Sequence, residues 1–269
     1  MNLLIGDVGN TVTKLCIIDG EKFKIKKIVY FPSNRIKSKK ILKKNLNKLL
    51  NNVPICSTAL FSIVVPRYKS ILKNFLNNRY KIILKELKDK NIDKIIKINI
   101  KNKNEVGSDR IANTVGAYKK YKTNCIILDF GTATTFDVLK KNGVYNGGLI
   151  APGINLSIKS LAKFADQLPV FLMKKPKNVV GKNTVDALRS GFYWGYSGLI
   201  NNIILEITKK TKKKYKIIFT GGYASLFKTS IASSFTVDKN ITIDGIAEIF
   251  KKNFNNLNKW KKKNLFFAH

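Results

Sequence analysis

The sequence predicts an α/β protein built from two related halves around a cleft. Three observations predict it. Strands and helices alternate along the chain. The stretch "LLIGDVGNTVTKLCII" (3–18) is echoed by "IILDFGTATTFDVL" (126–139), so an apolar run ending in Asp-x-Gly and a hydroxyl-rich restart is written twice, at Asp7 and Asp129. Between them the strand–helix layout ends and begins again.

Taken in order, residues 2–18 read as two strands joined at a tight Gly-Asn-Thr turn. "FKIKKIVYF" (23–31) alternates as a third strand, and "KILKKNLNKLLNNV" (40–53) carries Ile41, Leu42, Leu46, Leu49 and Leu50 at helical spacing. "ALFSIVVP" (59–66) is a buried strand closed by Pro66, "YKSILKNFLNNRY" (68–80) a helix and "KIIKINI" (94–100) a strand. Ser108 is placed to cap a helix whose first turn holds Asp109 and Arg110, with Ile111, Val115 and Tyr118 as its buried stripe. The second half opens with the strand "CIILDFG" (125–131) and a hairpin turning at Asn142–Gly143. It continues with helices over 155–165 and 185–210, a strand over 215–222 ending in Gly-Gly, and a last helix over 243–260 capped by Asp244. No linker is visible, so the expected domains are 1–120 and 121–269, packed together.

Composition narrows the function. The chain has 269 residues, enough for two domains with real cores. No apolar run approaches the roughly 18 residues that span a bilayer. Asp7 interrupts the first apolar run, and no basic segment precedes it, which argues against a secretory signal. The expectation is a cytoplasmic protein with no membrane partner. Cys16, Cys56 and Cys125 are an odd number without metal-ligand spacing, consistent with buried thiols in a reducing compartment. The net charge of +35 attracts polyanions, yet only 5 of the 51 basic residues are Arg and the Lys are scattered among Asn and Ile. Base-reading and phosphate-clamping surfaces favour Arg, so no specific nucleic-acid binding is expected. The single His, His269, is terminal, which leaves no His-based acid or base.

The turns indicate what the cleft holds. Gly9 lets the backbone approach a ligand closely, and its neighbouring N–H groups, with Asn10, Thr11 and Thr13, can cradle phosphate oxygens. Asp7 and Asp129 at strand ends would repel phosphate by themselves. A cation between carboxylate and phosphate reverses the sign. One Asp-x-Gly by itself reads as an ordinary Asx turn. Two, each at a Thr-rich strand start in its own α/β half, point to metal-assisted handling of a polyphosphate.

On the segments "DVGNTVTK" (7–14), "SIVVP" (62–66), "GSDR" (107–110), "DFGTATT" (129–135), "GGLIAPG" (147–153) and "GKNTVDALRSG" (181–191), with "TGG" (220–222) as a weaker seventh, the chain resembles the type III pantothenate kinases. The resemblance implies two ribonuclease-H-like halves of the actin-like ATPase superfold. It implies ATP-dependent phosphorylation of pantothenate to 4'-phosphopantothenate, the first step of coenzyme A synthesis. By the same resemblance Asp7, Val8, Gly9, Asn10, Thr11, Val12, Thr13 and Lys14 form the ATP loop, with Asp7 a ligand of Mg²⁺, and Thr132 is a second nucleotide contact. Asp129 matches the ligand of a monovalent cation, K⁺ or NH₄⁺. Gly107, Ser108, Asp109 and Arg110 match the pantothenate-binding segment, with Asp109 the catalytic acceptor of the substrate proton and Arg110 an anchor. Thr184 matches a substrate contact supplied across a homodimer interface, to which "GGLIAPG" and the aromatic helix "SGFYWGYSGLI" (190–200) contribute. Ile100 stands where the family places a substrate-binding Tyr, and Lys103 where that motif has Pro. The segment past 250 matches no motif. Two alternatives keep the fold: another small-molecule kinase, or an inactive regulatory or nucleic-acid-binding protein.

Overall fold

The computed structural model describes residues 1–51, 53–254 and 265–266, the last two by backbone. The expected helix residues 255–260, residues 261–264 and residues 267–269 with His269 lie outside the described residues. The chain forms two compact units, one of residues 1–120 with 240 onward and one of residues 121–239.

In the first unit β1 (Asn2–Val8), β2 (Val12–Asp19) and β3 (Ile25–Pro32) form an antiparallel meander. Helix α1 (Lys39–Leu50) follows, its N-terminus capped by the Ser38 hydroxyl. The chain then returns through β4 (Ile55–Cys56) and β5 (Thr58–Ile63), both parallel to β1. Pro66 opens α2 (Pro66–Tyr80) rather than closing a strand; its fixed φ and missing N–H suit the first helical position. Strand β6 (Ile83–Glu86) pairs parallel to β5. The expected strand over 94–100 shrinks to β7 (Lys97–Ile98). Helix α3 (Ser108–Tyr121) completes this stretch. The strand order is therefore β3-β2-β1-β5-β6.

The second unit repeats the plan. Strands β8 (Cys125–Phe130), β9 (Ala133–Leu139) and β10 (Val144–Pro152) are antiparallel. The β9–β10 turn is the expected Asn-Gly, with Gly143 at φ +79. Helices α4 (Ile154–Phe164) and α5 (Thr184–Thr211) precede β11 (Lys216–Gly221), which is parallel to β8, and β12 (Phe235–Val237), which is parallel to β11. The order β10-β9-β8-β11-β12 matches the first unit strand for strand, in the same senses. This is the α/β duplication of the actin-like ATPase superfold.

The cores follow from the apolar faces. Leu42, Leu46 and Leu49 of α1 and Tyr68, Leu72 and Leu76 of α2 are buried with Leu4, Leu15 and Phe61 of the sheet. In the second unit Phe130 stacks on Phe227 at 5.6 Å, Phe227 on Tyr193 of α5 at 5.5 Å, and Phe130 meets Phe219 edge-on at 5.2 Å. Cys16, Cys56 and Cys125 are buried free thiols. Burial, helped by the Asp244 charge, pushes Cys16 up to about 12, and burial pushes Cys125 up to about 12, so both stay protonated at neutral pH.

Helix α6 (Ile241–Asn253) belongs to the first unit, although it follows the second in sequence. It starts before Asp244, which lies in its first turn rather than at the cap; the flanking residue is Asn240. It crosses α3 at two glycines. A Cβ on Gly116 would lie 2.2 Å from the Ile241 carbonyl oxygen, and one on Gly245 would lie 1.8 Å from that of Ala112. Beside this crossing the buried Thr242 hydroxyl bonds Asn113 Oδ1 at 2.7 Å. The strand β13 (Leu265–Phe266) pairs antiparallel to β4. Among the described residues no helix is long and apolar enough to cross a membrane.

Candidate active site

In the first unit Asp7 sits at the C-terminal end of β1, and only 7% of it is exposed. The chain turns immediately after it: the Gly9 N–H donates to the Val12 carbonyl at 3.1 Å, leaving Asn10 and Thr11 exposed at the tip. Lys14, the cross-strand partner of Asp7, places its ammonium 3.5 Å from Asp7 Oδ2. Val8 is fully buried, and Val12 is 43% exposed at the other arm of the turn. Thr13 faces inward, its hydroxyl 2.8 Å from that of Ser33, so its side chain serves the fold, not the tip of the turn.

On its other side Asp7 is in register with Ser62 of β5. Parallel partners point to the same face of a sheet, so Asp7 and Ser62 are neighbours. The Ser62 hydroxyl donates to the Ser108 hydroxyl at 3.0 Å, and both residues are buried. Ser108 begins α3 with its side chain engaged in this bond. Asp109, half-buried in the first turn, accepts from the Arg110 backbone N–H at 2.8 Å through Oδ1. A helix N-terminus favours the carboxylate anion there. A Cβ on Gly107 would come 2.5 Å from Asp109 Oδ1, so a side chain there would push that carboxylate aside. One connected structure thus joins the Asp7 turn to the Gly107–Arg110 segment. Ile100 lies half-buried in the loop ahead of it, just past β7, and offers no polar group.

In the second unit Asp129 occupies the position on β8 that Asp7 occupies on β1. The Gly131 N–H donates to the Ala133 carbonyl at 3.1 Å, closing a turn with the geometry of the first, and Thr132 is exposed at its tip. Two glycines brace the turn from outside it. Gly153 abuts the Thr132 backbone, where a Cβ would lie 2.1 Å from the Thr132 carbonyl oxygen. Gly221 has φ +86, and its Cβ would fall 2.6 Å from Asp129 Oδ1. Replacing Gly221 by Ala is therefore expected to cost about 1–3 kcal/mol from left-handed strain and overpacking together, read as a lowered midpoint in urea unfolding.

Asp129 is flanked in register by Thr135 on β9 and Thr220 on β11. The hydroxyl oxygens of both threonines are buried without a hydrogen-bond partner. Such groups normally have one, and hard oxygen ligands around a carboxylate are what an alkali cation takes. The residues present thus fit a cation at Asp129. No group of three or more His, Cys, Asp or Glu gathers among the described residues. Mg²⁺ would accordingly be held as it usually is with nucleotides, by one carboxylate such as Asp7 together with phosphate oxygens.

Thr184 is the exposed first residue of α5, whose N-terminus is capped by Asn183: Asn183 Oδ1 accepts from the Asp186 N–H at 2.9 Å. It lines an open groove of about 980 Å³ with Pro152, Gly181, Gly191, Gly195 and Tyr196. Gly191, Gly195 and Gly198 run along this helix with open space beyond each. Phe164, Leu172 and Val180 are 80%, 75% and 69% exposed in the same unit.

Sequence reasoning named Asp7, Asp109, Asp129 and Thr184 but gave no role to Ser62, Thr135, Gly153, Thr220 or Gly221. All five lie inside segments it had singled out. What it lacked was the register that brings Ser62 beside Asp7 and Thr220 beside Asp129.

The comparisons with known proteins agree with this geometry. A model of the type III pantothenate kinase family matches residues 3–206. The type III pantothenate kinase of Pelagibacter ubique (strain HTCC1062) is 45% identical over 248 residues, spanning 91% of this chain and 96% of its own. Among solved structures, a Campylobacter jejuni protein described as a Baf family transcriptional activator superposes with a TM-score of 0.60 at 22% identity, over 94% of this chain and 100% of its own. The activator of the 2-hydroxyisocaproyl-CoA dehydratase from Clostridium difficile does so with a TM-score of 0.54 at 11% identity, over 98% of each chain. Those two likenesses speak to the fold alone. Joined to the sequence match, the twin Asp-x-Gly turns and the Gly-Ser-Asp-Arg helix start place this kinase within one family: the chain belongs to the type III pantothenate kinases.

Proposed function

We propose that the chain transfers the γ-phosphoryl group of ATP to the primary hydroxyl of pantothenate, forming 4'-phosphopantothenate. The observation that carries the assignment of roles is the bond between Ser62 and Ser108. It ties the strand register of the Asp7 turn to the helix turn that presents Asp109.

In this reading the backbone of residues 8–12 and Lys14 bind the ATP phosphates, with Thr132 a further nucleotide contact. Asp109 accepts a hydrogen bond from the substrate hydroxyl, aims its oxygen at the γ-phosphorus and takes the proton as the new P–O bond forms. A carboxylate is a weak base, which suffices because the loose transition state of phosphoryl transfer asks mainly for alignment and charge neutralisation. Arg110 grips the carboxylate or amide oxygens of pantothenate with its planar fork of donors. Mg²⁺ at Asp7 and a monovalent cation at Asp129, Thr135 and Thr220 would neutralise phosphate charge when bound. Ile100 supplies an apolar contact where relatives are expected to offer a phenol.

The open, glycine-lined face of α5 with Thr184 at its head supports homodimer formation, and the buried thiols support a reducing cytoplasmic setting. The test is ADP release by the purified protein with ATP and Mg²⁺, with and without pantothenate and K⁺. The expected result is pantothenate-dependent turnover that K⁺ or NH₄⁺ raises. Turnover indifferent to pantothenate, or with a sugar in its place, would overturn the assignment.

A further inference from the structure

We infer that Ser62 is a positioning residue for phosphoryl acceptance, acting through Ser108 on the helix turn that carries Asp109. The inference rests on the function proposed above and deepens it.

The strand β5 lies between β1 and β6, and Ser62 stands one residue from its end. Apolar side chains would fill such a place more favourably. The neighbouring positions Leu60, Phe61 and Ile63 are all apolar and buried. Ser62 itself is fully buried, and its hydroxyl reaches 46 residues along the chain to Ser108. A buried hydroxyl is retained at a cost unless it makes its bond. Here that bond spans the two segments that hold opposite ends of the reaction.

The bond's direction matters. A serine hydroxyl has one hydrogen to give and two lone pairs. With Ser62 as donor, Ser108 accepts and keeps its own hydrogen for another acceptor. Ser62 thereby holds the rotamer of Ser108 and the register of the first turn of α3 against β5. Asp109 is the next residue, and its Oδ1 is already occupied by the Arg110 N–H. The first turn of α3 is therefore held from two sides. The Ser62–Ser108 bond anchors it to the sheet beside Asp7, and the Asp109–Arg110 bond sets the carboxylate within the turn. A shift of this turn moves the proton acceptor relative to the end of β1, and misplacement by as little as 1 Å is costly to a reaction that depends on alignment.

The experiment is a double-mutant cycle of Ser62→Ala and Ser108→Ala in the full chain, read in two ways. Steady-state kinetics with pantothenate is the first. Hydrogen exchange of the peptide covering residues 107–111, without substrates, is the second. For Ser62→Ala the expected results are about a tenfold fall in kcat/KM for pantothenate with the KM for ATP unchanged, and faster exchange confined to that peptide. In the Ser108→Ala background the second substitution should add nothing to either readout, because the two residues act as one unit. Independent, multiplying effects would overturn the inference, and so would an unchanged 107–111 peptide. If Ser62→Ala unfolds, Ser62→Cys, which leaves no cavity and is a weaker donor though slightly larger, should shift both readouts in the same direction. A wild-type chain that does not phosphorylate pantothenate would remove the proposed function, while the exchange cycle would still decide whether Ser62 holds Ser108.

Discussion

Asp109→Asn is expected to lower kcat for pantothenate phosphorylation by at least about a hundredfold, while the lost charge at the helix N-terminus costs stability only about 0.3–1 kcal/mol, read as a small fall in the urea midpoint. The substitution preserves size and the acceptor oxygen that takes the Arg110 N–H, so the turn keeps its local bond. It removes the negative charge and the ability to take a proton. The side chain is only half-buried, so folding responds less than the chemistry does. A loss confined to KM would instead mean that Asp109 binds pantothenate without acting on its hydroxyl. A variant as active as the parent would remove Asp109 from the mechanism altogether.

The second large effect is on stability. Gly245→Ala is expected to destabilise the first unit by about 3 kcal/mol, measured as a shift in the urea midpoint at constant slope. In an exposed helix this change would stabilise by about 1 kcal/mol, because Gly is the poorer helix former. Here the sign reverses. The added methyl would lie 1.8 Å from the Ala112 carbonyl oxygen, an atom of the α3 backbone that cannot swing aside. The helices must separate, which strains the bond between Thr242 and Asn113 and moves α3. Since α3 carries Asp109 at its start, kcat should fall as well. The pair of variants thus separates chemistry from architecture: Asp109→Asn should change mainly the rate, whereas Gly245→Ala should change both. An Ala variant of unchanged stability would mean that α3 and α6 do not meet at these glycines.

Much of the fold was legible because its signals are local. Apolar runs ending in Asp-x-Gly marked β1 and β8, alternation marked β3, helical spacing marked α1, and Asn-Gly marked the β9–β10 turn. The errors lay at element ends. Pro66 suits the first position of a helix as well as the end of a strand, and only the course of the chain after Ile63 distinguishes the two. Asp244 looked like a cap because Asp is favoured there, but the crossing at Gly116 lets α6 begin a turn earlier, at Ile241. The Ser108 hydroxyl, free in the sequence to cap its own helix, is held by a serine 46 residues away.

By itself, the sequence determined the α/β class, the repeated Asp-x-Gly turn, the inert thiols and the family, since each depends on residue types at short fixed spacing. Tertiary structure alone decided which residues stand beside those turns. Strand register puts Ser62 next to Asp7 and lines Thr135 and Thr220 up with Asp129, and the return of α6 to the first unit requires Gly116 and Gly245. The physical reason is that neighbours across a sheet or a helix crossing are set by hydrogen-bond register and close packing between distant segments, and no local preference encodes either.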